Sequence, residues 1–224
     1  MASLEPLVGG DSGDFQEARG IAEKCAKFPQ SECAHLRTLS QKIPAGSALF
    51  LGNSLCIRQW NLAAIIGAAE TNCHVMRGAN GIDGNLSFFY GIGVEFEASW
   101  AVVGDLTALY DLAAPWIGGQ LPAGNRRIVI MNNGGGLIFR RLPSLKEMTP
   151  QEKPVIENTH DLRFSAWAEQ WGMAYRKITQ SSDWEVPLPE GDVAVEIVPD
   201  AAQSEEFWRA MDEEKRNESN HPEP

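Results

Sequence analysis

The sequence predicts an α/β fold: a three-layer α/β/α domain around a mainly parallel central sheet. Three observations lead there. Short, continuously apolar runs alternate with helix-length segments, as in parallel sheets covered on both faces. The first such run, residues 48–51, is stopped at once by Gly52. Glycine-marked turns then recur behind successive strands, at 52–54, 78–84, 104–105 and 132–136. In a parallel sheet all of these fall on the carboxyl rim, where such folds bind ligands.

The elements follow in order. Residues 1–14 contain Gly, Ser and Asp without periodicity and read as a flexible leader. Residues 15–28 and 32–42 read as two helices of a helical linker over 15–46, the second ended by Pro44 and Gly46. The α/β domain is assigned to 47–212. Within it, 48–51 is a strand, 55–66 a helix, 73–76 a strand, 78–84 a glycine-rich turn and 85–96 a helix. Next come a strand at 100–103, a helix at 107–117 and a strand at 128–131. After a long loop, 161–171 reads as helix and 193–198 as the last strand. Residues 213–224 are charged, end in proline and read as a disordered tail.

Bulk properties narrow the function. The chain has 224 residues, enough for one domain with extensions. Its net charge of −11 argues against nucleic acid and against anionic membrane surfaces, since both demand a basic face. No apolar run approaches the ~18 residues of a membrane span, and the first 15 residues lack the pattern of a signal peptide. A cytoplasmic location is therefore the expectation. Cys25, Cys33, Cys56 and Cys73 include no CxxC pair and stand at no zinc-ligand spacing with histidine, so they read as buried or free thiols in a reducing compartment.

The chemistry is concentrated in Gly104-Asp105 and Asn132-Asn133-Gly134-Gly135-Gly136. Residues 107–131 between them leave room for one helix and one strand. An acidic residue ending one strand and an amide ending the next can converge on one cation. Mg²⁺ takes six oxygens in a near-octahedral shell, shared among carboxylates, phosphates and water. Asp105 offers a carboxylate oxygen, Asn133 an amide oxygen and Gly135 a backbone carbonyl. The glycines let a diphosphate approach the backbone, and the N–H groups opening the helix after Asp105 can meet a phosphate. A plain N-cap would explain Gly104-Asp105 alone. The glycine-rich segment at this spacing and the two upstream loops favour a metal–diphosphate clamp, of the kind thiamine diphosphate (ThDP) requires.

These residues carry a family resemblance. Gly104-Asp105-Leu106 with Asn132-Asn133 is similar to the metal-binding motif of ThDP enzymes, with Leu106 in place of its last glycine. Four strings narrow it: GNSLCIR (52–58), RGANGIDG (77–84), GDLTALYDL (104–112) and NNGGGLIF (132–139). Together they resemble the 2-succinyl-5-enolpyruvyl-6-hydroxy-3-cyclohexene-1-carboxylate synthases of menaquinone and phylloquinone biosynthesis, from about Phe15 to Asp212. The resemblance implies a ThDP-dependent transferase that decarboxylates 2-oxoglutarate and adds the succinyl unit to isochorismate. It implies ThDP with Mg²⁺, or Mn²⁺ in its place, held by Asp105, Asn133 and the Gly135 carbonyl. Asn53, Ser54, Gly104 and Thr107 would contact the diphosphate. The Asn80 carbonyl and the Ile82 N–H would bind the aminopyrimidine, with the Ile82 side chain as the wedge that bends the cofactor into its reactive V shape. Arg58 and Arg77 match arginines that grip substrate carboxylates, and Ile138, Phe139 and Leu142 match an apolar wall beside the reacting groups.

The resemblance covers only the pyrophosphate-binding (PP) domain and the linker before it. The pyrimidine-binding (PYR) domain, which supplies an activating glutamate, and a middle domain are expected as partners, in cis or from another subunit. The chain alone is expected to be inactive, and its exposed PYR-facing surface to be apolar enough for self-association into a homo-oligomer. Two alternatives stay open: the PP subunit of a split ThDP-dependent 2-oxoacid decarboxylase, and a non-catalytic ThDP-binding module. Among the remaining polar residues, His74 reads as packed and His160 as a helix cap or surface residue. Arg126-Arg127 read as solvated at the opposite rim, and Arg140-Arg141 as candidates for the site's mouth. The i, i+4 pair Trp167 and Trp171 reads as core packing.

Overall fold

A computed structural model describes residues 12–65, 71–76, 78, 80–142, 145 and 148–220. Among them, six strands form one sheet: β1 (Ala48–Leu51), β2 (Asn72–Val75), β3 (Ala98–Gly104), β4 (Asn125–Met131), β5 (Ala174–Ile178) and β6 (Val193–Ile197). Their order across the sheet is β2-β1-β3-β4-β6-β5, and every neighbouring pair is parallel. The fold is the three-layer α/β/α arrangement the alternation predicts. After β2 the chain returns to the other side of β1, so the direction of winding reverses between β1 and β3. Ligand crevices open at such a reversal, and the loops after these two strands carry Gly52-Asn53-Ser54 and Gly104-Asp105.

Alternate residues of the central strands feed two cores. Leu49, Leu51, Trp100, Val102, Val129, Met131, Val193, Val195 and Ile197 point to one face, where they meet α2 (Glu32–Ser40) and α3 (Leu55–Ala63). Phe50, Ala101, Val103, Ile128, Ile130 and Ala194 point to the other. That face is covered by α4 (Asn85–Ile92), α5 (Asp105–Tyr110), α6 (Pro115–Gly118) and α8 (Ser165–Gln170). A third cluster joins α1 (Ser12–Lys27), α2, α3 and α9 (Ala201–Asn220) through Ile21, Cys25, Cys33, Ala34, Ala63, Phe207 and Met211. The helices before the sheet are thus packed onto it, α2 with Leu36 and Leu39 fully buried.

Several elements differ from expectation for identifiable reasons. The helix expected over 107–117 is two, because Pro115 has no N–H to donate and opens α6 instead. The helix expected over 161–171 starts at Ser165; the Phe164 N–H is taken by the buried Glu196 carboxylate at 3.1 Å. β5 is an edge strand with half-exposed polar residues, which hid its period. α7 (Glu152–Glu157) lies in the expected long loop. The tail expected from 213 is helical to Asn220: α9 buries Ser204, Phe207 and Met211 on one stripe, and Glu214 pairs with Lys24 at 2.5 Å. Residues 66 and 221–224, within the expected helix and tail, lie outside the described residues. No helix among the described residues is long and apolar enough to cross a membrane.

Candidate functional site

The site is built where β1, β3 and β4 end. Gly52 N–H donates to the Val102 carbonyl at 2.9 Å, and a Cβ at Gly52 would stand 2.9 Å from a Val103 methyl. Only glycine lets the chain leave β1 this close to β3. Asn53 is buried and its Nδ2 donates to the carbonyls of Met76 (3.1 Å) and Gly81 (2.8 Å). That ties the loop after β1 to the 78–84 turn, which Asn85 braces through the carbonyls of Gly81 and Asp83. Ser54 has φ 77°, a left-handed conformation costly for a non-glycine residue and common at functional sites.

Asp105 opens α5 with its carboxylate buried. Its Oδ1 accepts from Leu106 N–H at 2.6 Å. Oδ2 accepts from the N–H groups of Gly134 (2.8 Å) and Gly135 (2.9 Å). Burial pushes its pKa up, and the Leu106 N–H, His160 and the two glycine N–H groups oppose that. The turn that presents these N–H groups needs glycine. Gly134 and Gly135 have φ 83° and 143°, and a Cβ at Gly135 would stand 2.7 Å from the Glu157 carbonyl.

The two asparagines after β4 have separate partners. Asn132 Nδ2 donates to the Leu162 carbonyl (2.9 Å) and to Glu196 (2.6 Å), holding the later loop to the sheet. Asn133 Nδ2 donates to Glu32 on α2 at 2.5 Å, and its Oδ1 is buried with no hydrogen-bond partner. The Gly135 carbonyl accepts from Leu137 N–H at 3.0 Å and keeps a second lone pair. A carboxylate, an orphaned amide oxygen and a carbonyl on adjoining turns are the hard oxygen donors that Mg²⁺ takes. No cluster of three His, Cys, Asp or Glu side chains that could hold a metal occurs among the described residues. A cation here would rest on one carboxylate with amide and carbonyl oxygens.

A cleft of about 520 Å³ joins these loops. Asn53, Ser54, Arg58, Asn80, Ile82, Gly104, Asp105, Thr107, Asn133, Gly135, Ile138 and Phe139 all line it. Leu142 does not; it is exposed just past the short 3₁₀ helix at Leu137–Arg141. Arg77 lies outside the described residues. Arg58 is exposed on α3, with its guanidinium bonded to the Ser54 carbonyl. Arg140, a candidate for the mouth, instead forms a two-pronged pair with Glu157 at 2.7 and 2.8 Å; the Arg141 side chain is outside the description.

Two residues near Asp105 and Asn133 have parts that the sequence reading did not give them. His160, expected as a cap or surface residue, is nearly buried, with Nε2 3.4 Å from Asp105 Oδ2. Its Nδ1 accepts from Leu162 N–H at 3.2 Å, which puts the ring proton on the side of Asp105. Glu32 is buried, and its carboxylate accepts from Gln59 as well as Asn133. Burial raises its pKa against the pull of those two amides. Glu32 carries no local signal, since an acid in a helix's first turn is ordinary. Arg126 and Arg127 do lie at the opposite rim, but they are buried and bonded rather than solvated, Arg126 to Asp192 at 3.2 Å and Arg127 to the Pro189 carbonyl at 2.9 Å. His74 packs edge-on against Phe96.

No protein-family model matches the chain. Individual proteins do. Over 201 residues, 89% of this chain and 36% of the relative, it is 35% identical to the 2-succinyl-5-enolpyruvyl-6-hydroxy-3-cyclohexene-1-carboxylate synthase of Bdellovibrio bacteriovorus. The enzyme of the same name from Akkermansia muciniphila is 40% identical over 182 residues, 80% of this chain and 34% of the relative. That from Bacteroides fragilis is 35% identical over 153 residues, 68% of this chain and 27% of the relative. The chain spans about a third of the length of the curated relatives it matches.

Proposed function

By sequence the chain is a member of the 2-succinyl-5-enolpyruvyl-6-hydroxy-3-cyclohexene-1-carboxylate synthase family, matching about a third of its relatives' length; on that premise we propose that it is the domain that holds the Mg²⁺-diphosphate end of ThDP. The observation that carries this is Asn133 Oδ1, buried without a partner beside an aspartate already fixed by the glycine turn. An orphaned buried acceptor costs about 1–3 kcal/mol unless something binds it. A divalent cation would bind it.

In this reading Asp105, Asn133 Oδ1 and the Gly135 carbonyl hold Mg²⁺, or Mn²⁺ in its place. The Asn53 side chain braces the 78–84 turn, which leaves Ser54, Gly104 and Thr107 to meet the diphosphate directly. The Asn80 carbonyl and Ile82 N–H would hold the aminopyrimidine, with the Ile82 side chain packed against the cofactor. Arg58 and Arg77 take substrate carboxylates, local cations that a chain of net charge −11 needs for anionic ligands. Ile138 and Phe139 keep water from the reacting groups; Leu142, expected with them, stands outside the cleft. Bound ThDP supplies the carbon nucleophile for decarboxylating 2-oxoglutarate and transferring the succinyl unit to isochorismate.

The partners we assign are PYR and middle domains, and the chain alone is inactive without the PYR glutamate. Exposed Tyr110 at the end of α5, Leu112 after it and Trp116 on α6 offer apolar surface for such a partner or for a second copy. The four free cysteines suit a reducing cytoplasm. The test is reconstitution. The chain mixed with a PYR–middle fragment of a full-length relative should form product from 2-oxoglutarate and isochorismate, and neither part alone should. Turnover by the chain alone would refute the reading. Release of CO₂ without isochorismate consumption would favour a split decarboxylase, and ThDP binding without complex formation a non-catalytic module.

A further inference from the structure

We propose that Glu32, far from the glycine loops in sequence, is a positioning residue for the cation site: its carboxylate fixes the Asn133 amide with Oδ1 turned toward the metal. This rests on the assignment of Asn133 as a metal ligand and deepens it.

An asparagine side chain has one oxygen and one NH₂ group and can turn either outward. Only the oxygen can ligate a cation, so the site needs something that decides the orientation. Both carboxylate oxygens of Glu32 act as acceptors, Oε1 from Asn133 and Oε2 from Gln59, so each is faced by an NH₂ group. Glu32 Oε1 takes the Asn133 NH₂, which leaves Oδ1 on the other side, buried and unbonded. Glu32 is itself well placed for this. Ser31 caps α2, with its Oγ accepting from Ala34 N–H at 3.3 Å. The Glu32 N–H donates to Ser204 Oγ of α9 at 3.3 Å, and its second carboxylate oxygen accepts from Gln59 on α3. No cation pairs with Glu32 among the described residues; the nearby Arg140 forms its ion pair with Glu157. The carboxylate is therefore reserved for two amides, one of them beside the clamp. Groups that orient metal ligands in this way change metal affinity by roughly 10–100-fold when removed.

Glu32→Gln separates the idea from simple packing. The carboxamide keeps the size of the side chain but has one acceptor for two facing NH₂ groups, so Asn133 or Gln59 must turn. The measurement is Mn²⁺ affinity in the presence of ThDP, read by electron paramagnetic resonance, with circular dichroism as the check on folding. Glu32→Gln is expected to weaken Mn²⁺ binding by roughly 10–100-fold while the folded fraction remains. Unchanged affinity both in the folded variant and in Glu32→Met, which offers no acceptor to either amide, overturns the role of Glu32 and leaves the cation site standing. Failure of the unmodified chain to bind Mn²⁺ overturns both. Should the variant not fold, the unmodified metal-free chain decides: the Asn133 side-chain NH₂ signal, identified by its loss in Asn133→Ala, must exchange with solvent at least about tenfold more slowly than exposed amides. Exchange at the exposed rate overturns the proposal.

Discussion

The two ends of β4 carry pairs of like residues, used in opposite ways. At the amino end stand Arg126 and Arg127. Their guanidinium groups reach Asp192 and the carbonyls of Pro122, Pro189 and Gly191, and Arg126 lies 5.7 Å over the Tyr90 ring. Just past the carboxyl end stand Asn132 and Asn133. Both bond their NH₂ groups and keep a buried Oδ1 without a hydrogen-bond partner, but of the two only Asn133 lines the cleft. At one end charge closes the loops onto the sheet. At the other, polar capacity is held in place and left over, which is how a binding site differs from a latch. On the proposed function, stability is set at the amino edge and in the helical layers, and cofactor affinity at the carboxyl edge.

The strongest way to break that separation is Asp105→Ala. It should lower Mg²⁺-dependent ThDP affinity by at least about 100-fold, with the far-ultraviolet circular dichroism retained. Global unfolding instead would make Asp105 part of the latch.

A pH titration probes the helical layers. His35, on α2 one turn beyond Glu32, is fully buried with both ring nitrogens unbonded, and desolvation lowers its pKa from 6.5 to about 4. The unfolded chain takes up that proton near pH 6.5 and the folded chain only near 4, so the unfolded state gains as pH falls. The stability His35 confers by staying neutral is complete above pH 6.5 and is lost through the window from 6.5 to 4, by about 3 kcal/mol in all. Denaturant midpoints for the unmodified chain and His35→Gln should converge as pH falls through that window. Parallel curves would contradict the assignment.

Arg126→Ala comes next in size. It leaves the partly exposed Asp192 without its ion pair and should cost about 2 kcal/mol, a drop of roughly 4–8 °C in melting temperature. ThDP affinity should not change; a matching loss of affinity would join the two edges that the account holds apart. Ile82→Ala should act on turnover far more than on binding. Affinity should stay within about threefold because the metal clamp supplies most of it, while turnover of the reconstituted enzyme falls by at least about tenfold. A variant with full turnover would remove Ile82 from the reaction.

What the sequence disclosed and what it hid divide by range. β1 is visible at its observed bounds, and the four glycine turns fall on one rim, because apolar runs and glycine breaks are local signals. Twelve of the candidate site residues line one cleft that joins those turns. Pro115 was equally local, and its break of the helix after Asp105 was there to be read. Glu32 and Asn133 are 101 positions apart, and only the packing of α2 onto the sheet brings them together. His160 reaches Asp105 through a loop pinned by Glu196 and Asn132, which no spacing rule encodes. In α9 a charged composition concealed the stripe at Ser204, Phe207 and Met211.

The central claim is that this chain by itself holds the diphosphate of ThDP through a divalent cation on Asp105 and Asn133. Calorimetric titration of ThDP into the purified chain tests it most directly, once with Mg²⁺ in excess and once with EDTA. The account predicts saturable binding at one ThDP per chain with Mg²⁺, abolished by EDTA. Equal binding under both conditions, or none under either, would contradict it.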